Sequence, residues 1–153
     1  MYWLVMKNVR IFYNNNDKSI NTFKDIQEKL LKNGFNIVED DYNIAIAIGG
    51  DGAFLRMIKE SNFKSDVLYL GINTGTLGFA QEIHVDELDQ LIDNLKRNNF
   101  KINKFGIQET NVYTTSGNSK FYSLNDIVIN RSGALRVIDF DIYVNDEYLT
   151  SYT

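Results

Sequence analysis

The order of elements predicts an α/β fold: an N-terminal parallel sheet flanked by helices, followed by the opening strands of an antiparallel β domain. Three observations carry this. The first two thirds of the 153-residue chain alternate short apolar runs with helical periodicities, the rhythm of strands joined by crossover helices. One run, residues 44–48, is apolar throughout, as a central parallel strand covered on both faces requires. After about Asn99 the helical periodicity stops, and long strand-like stretches separated by turn residues take over, which predicts a meander. Residues 1–99 are thus expected to form one unit, and residues 100–153 part of a second.

Each element has its own signal. Residues 9–13 read as a strand. Residues 18–32 place Ile20, Phe23, Ile26, Leu30 and Leu31 at three- and four-residue intervals, with Asp17 as candidate N-cap and Gly34 as candidate stop. Residues 35–38 suggest a short strand. A helix over 53–61 and a strand over 67–72 follow the apolar run. Residues 85–97 align Val85, Leu88, Leu91, Ile92 and Leu95 on one face of an amphipathic helix, with acids in its first turn. Three strands are then expected over 105–115, 120–130 and 135–145, with turns at Ser116–Gly117–Asn118 and Ser132–Gly133. In the third, Ile138, Phe140, Ile142 and Val144 alternate with Asp139, Asp141 and Tyr143, predicting one buried and one wetter face. A fourth strand, Glu147–Tyr152, ends with the chain, so the sheet is expected to stop in mid-pattern and to expose an edge and an apolar face.

Composition narrows the chemistry. With 44% hydrophobic and 24% charged residues, the chain has the apolar mass of a globular core and not the signature of disorder. The longest apolar runs, 1–6 and 44–48, fall far short of the ~20 residues that span a bilayer. The first of them lacks the basic flank and cleavage site of a signal peptide, so the reading is intracellular, cytoplasmic and membrane-free. The absence of cysteine excludes disulfides, zinc–thiolate sites and thiol catalysis, and a single histidine, His84, excludes a multi-histidine metal centre. A net charge of −4 and a pI near 5.0 argue against nucleic acid as a general partner. The 19 asparagines and the lack of proline fit codon bias and carry no function.

Three segments carry candidate chemistry. The apolar run leads into Gly49–Gly50–Asp51–Gly52 and then a helical pattern. Strand, glycine-rich turn and helix together admit phosphate close to the backbone and offer it the unpaired N–H groups of a helix start. The segment is not a Walker A loop, and Leu55 breaks the G-x-G-x-x-G pattern. An acid among these glycines repels phosphate unless it has its own task. It could accept a proton from an attacking hydroxyl or organise the Mg²⁺ of a nucleoside triphosphate. The alternative is a tight turn with a capping aspartate. A second segment, Gly71–Ile72–Asn73–Thr74–Gly75–Thr76–Leu77–Gly78–Phe79, follows the next strand. Two such loops at the carboxyl ends of neighbouring parallel strands face one crevice. Phe79 could stack on a base there, although taken alone it reads as a core aromatic. The third segment, Leu124–Asn125–Asp126, sets an amide beside a carboxylate in an apolar stretch. In a strand these two point to opposite faces unless a bulge intervenes, and a plain solvated edge is the alternative.

In this order, the three segments resemble those of the NAD kinase family, which phosphorylates NAD to NADP with ATP or polyphosphate. The GGDG turn alone is shared with diacylglycerol-type lipid kinases and phosphofructokinases; joined to Gly71–Phe79 it is far more specific. Asp126 stands where the family usually has glutamate. The resemblance runs over essentially the whole chain and implies a Rossmann-like N-terminal sheet. It implies Asp51 as the residue acting on the adenosine 2′-hydroxyl of NAD, and Gly50 and Gly52 as phosphate-facing backbone. Phe79 would lie against adenine, and Asn125 and Asp126 would hydrogen-bond the nucleotide near its ribose hydroxyls. Mg²⁺ would accompany the phosphoryl donor, with no protein metal ligands assigned, and a full-length form would be a homo-oligomer. The family's further Asp-Gly and Thr-Pro-x-Gly segments have no match here, so the resemblance implies a C-terminally truncated chain with an incomplete site. A diacylglycerol-like kinase and a non-catalytic nucleotide-binding fragment are the alternatives. His84 reads as a surface or capping residue and Asn130–Arg131–Ser132 as an idle sequon. Asp86, Glu87, Asp89 and Asp93 read as a solvated helix face.

Overall fold

The computed structural model describes residues 7–75, 81, 83–130 and 137–153. Its first part is a five-stranded parallel sheet built from β1 (Asn8–Tyr13), β2 (Asn36–Ile37), β3 (Ile44–Gly49), β4 (Leu68–Asn73) and β5 (Ile83–His84). The spatial order is β2-β1-β3-β4-β5, and all four pairings are parallel. Helix α1 (Asp17–Lys32) follows β1, α2 (Asp51–Glu60) follows β3 and α3 (Leu88–Arg97) follows β5.

The period-two alternation of strands assigns the two faces different sizes. Ile44, Ile46 and Ile48 of β3 join Val9 of β1 and Ile72 of β4 in the core against α1 and α3. Ala45 and Ala47 turn the other way and pack with Phe12, Tyr42 and Met57 of α2. Large residues on one face fill the space under two helices, and alanines on the other let α2 approach closely. Every residue of β3 is buried, which is why its sequence shows no alternation. Across the outer surface, Lys29 Nζ of α1 meets Asp89 Oδ1 of α3 at 2.6 Å. That hydrogen bond holds the lysine above its usual range, but both groups are solvated and the pair adds little stability.

Local chemistry moves several boundaries. The N-cap of α1 is Asn16, whose Oδ1 accepts the Ser19 N–H at 2.9 Å; Asp17, the expected cap, is the first helical residue instead and favours the helix dipole from there. Gly34, at φ +84°, ends α1 as expected. The expected helix over 85–97 divides into a 3-10 turn, Val85–Glu87, and α3. Strand β5 is too short to leave a periodic signal. No described helix is long and apolar enough to cross a membrane.

The meander expected after Asn99 is replaced by two separate hairpins. Strand β6 (Gln108–Thr114) pairs with β7 (Gly117–Ser123), and β8 (Phe140–Val144) pairs with β9 (Glu147–Tyr152). Among the described residues they share no sheet with each other or with β1–β5. Asn145 and Asp146, at φ 51° and 67°, close the second hairpin as a two-residue turn whose twist matches the strands. In the first, Lys120 Nζ reaches Glu109 Oε1 at 2.9 Å and Tyr122 Oη donates to Glu109 Oε2 at 3.0 Å. The lysine's hydrogen bond foremost, with those from Asn111 and Tyr122, holds the Glu109 carboxyl below the usual range. Its contribution therefore holds above the ordinary glutamate pKa and fades as pH falls through the lowered one.

The buried face expected on the 135–145 stretch is not realised: Ile138, Phe140 and Val144 are exposed, because no described layer packs against them. Val128 and Ile129 are each 79% exposed. Apolar surface on this scale drives association. The purified chain is therefore expected to show a concentration-dependent rise in apparent mass by light scattering. A mass near 17.7 kDa that does not change with concentration would contradict this.

Candidate functional site

The strand order reverses between β1 and β3, since β2 lies on one side of β1 and the rest of the sheet on the other. Ligands of open α/β sheets bind beyond the carboxyl ends of the strands at such a point. Here β1 runs into Asn14–Asn15–Asn16 and the start of α1, while β3 runs into Gly49 and the start of α2. The second glycine-rich segment joins them at the next strand. Asn73 pairs in register with Gly49, and the Thr74 N–H donates to the Gly49 carbonyl at 3.2 Å. Asn73 is buried and its Oδ1 accepts the Gly75 N–H at 2.7 Å, so its side chain shapes the turn that follows. Gly49 and the described start of the second segment, 73–75, are thus side by side at the ends of neighbouring strands. Beside them a shallow pocket of about 410 Å³ opens among Lys18, Asn21, Asn73, Gly75 and His84.

The glycines differ in what requires them. Gly49 sits at φ +155°, and a Cβ there would lie 2.7 Å from Asn14 Nδ2 and 2.8 Å from Ala53 Cβ, so packing and backbone both demand glycine. Gly49→Ala is expected to destabilise the chain by about 1–3 kcal/mol, readable in a urea titration; an unchanged midpoint would show that the Asn14 loop moves aside freely. Around Gly50 and Gly52, by contrast, a Cβ would meet nothing within 4 Å. Protein packing does not account for glycine at these two positions, and their backbone is open to a ligand from outside.

Asp51 is the first residue of α2 and Gly50 is the N-cap, with no side-chain capping bond. The capping-aspartate alternative is thereby corrected: the helix starts two residues earlier than its periodicity suggested, because glycines at a helix start carry no apolar signal. Asp51 is half-buried. Asn125 and Asp126 are exposed just after β7 and not within a strand. Ser123 Oγ donates to the Asp126 carbonyl at 3.0 Å, a local contact within this segment. Phe79 lies outside the described residues.

Two residues at the site escaped sequence reasoning. Arg56 on α2 donates to Asn14 Oδ1 at 2.9 Å, tying the β1 loop to the helix after the glycine turn. Its only sequence signal is a cation one turn beyond Gly52. Gln81, fully buried, donates from Nε2 to the Gly50 carbonyl at 2.8 Å; no local pattern marks it, because its partner is backbone 31 positions away. His84 is exposed at the start of the 3-10 turn, where its N–H donates to Glu87 Oε2 at 2.8 Å, in keeping with a capping role. Asp93 pairs with Arg97 at 3.1 Å, and among the described residues no cluster of three or more acids, histidines or cysteines could hold a metal.

Comparison with known proteins agrees with this geometry. A family model for the ATP-NAD kinase N-terminal domain matches residues 6–100. An NAD kinase of Finegoldia magna is 37% identical over 152 residues, covering 95% of this chain and 55% of that protein. An NAD kinase of Lachnospira eligens is 37% identical over 120 residues, covering 76% of this chain and 40% of its own. The fold is also that of a yeast NADH kinase solved in complex with NADH, with a TM-score of 0.81 at 19% identity, over 95% of this chain and 55% of that one. The chain spans about half the length of the curated relatives it matches. With more than half of its residues inside the family match, and Gly49 paired with Asn73 at the carboxyl ends of β3 and β4, the chain belongs to the NAD kinase family.

Proposed function

We propose that this chain carries the nucleotide-binding part of an NAD kinase, which transfers a phosphoryl group from ATP or polyphosphate to the adenosine 2′-hydroxyl of NAD. The observation that carries the reading is the Gly50–Asp51–Gly52 turn at the end of the central strand, with open space over both glycines. Residues 1–99 would form the nucleotide-binding unit, and residues 100–153 the opening of a second one.

The roles follow from residue chemistry. The Asp51 carboxylate accepts the proton of the 2′-hydroxyl as its oxygen bonds to the transferred phosphorus and the donor's bridging oxygen leaves with the remaining phosphates. The Gly50 and Gly52 backbone lets phosphate approach the start of α2, whose dipole favours the anion. Phe79 lies against adenine, and Asn125 and Asp126 hydrogen-bond the nucleotide, with Asp126 one methylene shorter than the glutamate usual in the family. Mg²⁺, when bound with the donor, neutralises its phosphate charge. This ion commonly keeps several waters and takes one or two carboxylates besides phosphate, so the absence of an acidic cluster among the described residues is compatible with it. A cytoplasmic location and a homo-oligomeric full-length form belong to the same proposal.

The match over residues 6–100 favours this reading over a diacylglycerol-type kinase. The test is NADP formation by the purified chain with NAD, Mg²⁺ and either ATP or polyphosphate. Turnover supports the kinase; saturable NAD or ATP binding without turnover would identify a nucleotide-binding unit that needs further chain to react. Phosphorylation of a lipid and not of NAD would overturn the proposal.

A further inference from the structure

We propose that Gln81 is a positioning residue for the glycine turn: its buried amide holds the Gly50–Asp51 peptide in the orientation that presents the Asp51 N–H to the crevice. The inference rests on the reading of that turn as the phosphate cradle. Gly50 has no Cβ, nothing within 4 Å of where one would be, and no side-chain cap on its helix, so its peptide plane is held by hydrogen bonds to its carbonyl and not by a side chain of its own. Its carbonyl accepts from Ala53 N at 2.8 Å, from Phe54 N at 3.3 Å and from Gln81 Nε2 at 2.8 Å. Among the described residues, the last bond is the one that comes from outside the helix. In a planar trans peptide the carbonyl and the next N–H point in opposite directions. Holding the Gly50 oxygen toward the buried Gln81 therefore directs the Asp51 N–H away from it, toward the strand ends.

The other half of the same amide argues that packing did not select this residue. Gln81 is fully buried, and its Oε1 accepts no hydrogen bond among the described residues. A buried acceptor without a donor destabilises the fold, and an apolar side chain of equal length would avoid this. The bond to Gly50 is what methionine cannot supply. It also fixes which end of the amide is nitrogen, since an oxygen in that place would face the carbonyl.

Gln81→Met separates these effects. The variant is expected to melt at the same temperature as the parent chain or higher, while its affinity for tripolyphosphate with Mg²⁺, measured by calorimetry, falls about tenfold. Amide exchange at Ala53 and Phe54 is expected to quicken, with Ile46 and Ile48 in β3 unchanged, a local response that general loosening would not give. Unaltered exchange at Ala53 and Phe54, or altered exchange with unaltered affinity, would overturn the proposal. Loss of the fold in both Gln81→Met and Gln81→Leu would assign the residue to the core and overturn it too. If the parent chain itself binds no tripolyphosphate, the phosphate reading fails, and exchange alone then decides whether Gln81 holds the peptide.

Discussion

Asp51→Asn is expected to lower NADP formation by about two to four orders of magnitude, the usual worth of a positioned general base. The substitution keeps the shape of the side chain and removes the charge that accepts the proton. Because Gly50 and not Asp51 is the N-cap of α2, the substitution removes no helix cap, and losing the favourable interaction of an acid with the helix dipole costs about 0.3–1 kcal/mol. Activity and stability are expected to separate: the rate collapses while the chain keeps its cooperative unfolding transition. The measurement pairs the NADP assay with thermal unfolding of both chains, and both must be made in a form that turns over. A variant that keeps more than a tenth of the parent rate would remove Asp51 from the chemistry. A variant that loses activity and fold together would return it to a structural role.

The second large effect is expected at Ile46. It is fully buried in the middle of β3, in register with Ile11 of β1 and Leu70 of β4, on the face covered by α1 and α3. Ile46→Ala removes apolar volume in the central strand of the sheet, which has neighbours on both sides and helices on both faces, where collapse around the cavity is restricted. A loss of about 2–5 kcal/mol follows, a large share of the ~5–15 kcal/mol that a domain has in total. Urea unfolding followed by tryptophan-independent circular dichroism would read it as a lowered midpoint with an unchanged slope. A loss below about 1 kcal/mol would mean that the sheet repacks, contrary to a β3 locked on both faces.

What the residues announce in advance depends on the range of the interaction. Residues 44–48 announce a central strand because burial on both faces removes every polar residue, and 18–32 announce a helix because one buried face recurs every three or four positions. The boundary errors arise where a cap replaces that pattern. Asn16 takes the N-cap of α1 because its side chain reaches the Ser19 N–H, and α2 opens on glycine and aspartate, which periodicity does not register. The hairpins show the opposite failure. Alternation over 138–144 implies a covered face, but alternation states only that two faces differ, and no described layer covers either.

The sequence by itself determined the α/β class, the two glycine-rich loops and the family resemblance, because all three rest on residues close together along the chain. Tertiary structure alone decided the strand order with its reversal between β1 and β3, the pairing of Gly49 with Asn73, and the bonds Arg56–Asn14 and Gln81–Gly50. These join positions from 24 to 42 residues apart. Such partners are chosen by how the strands stack, and nothing in the local pattern of either partner specifies the other.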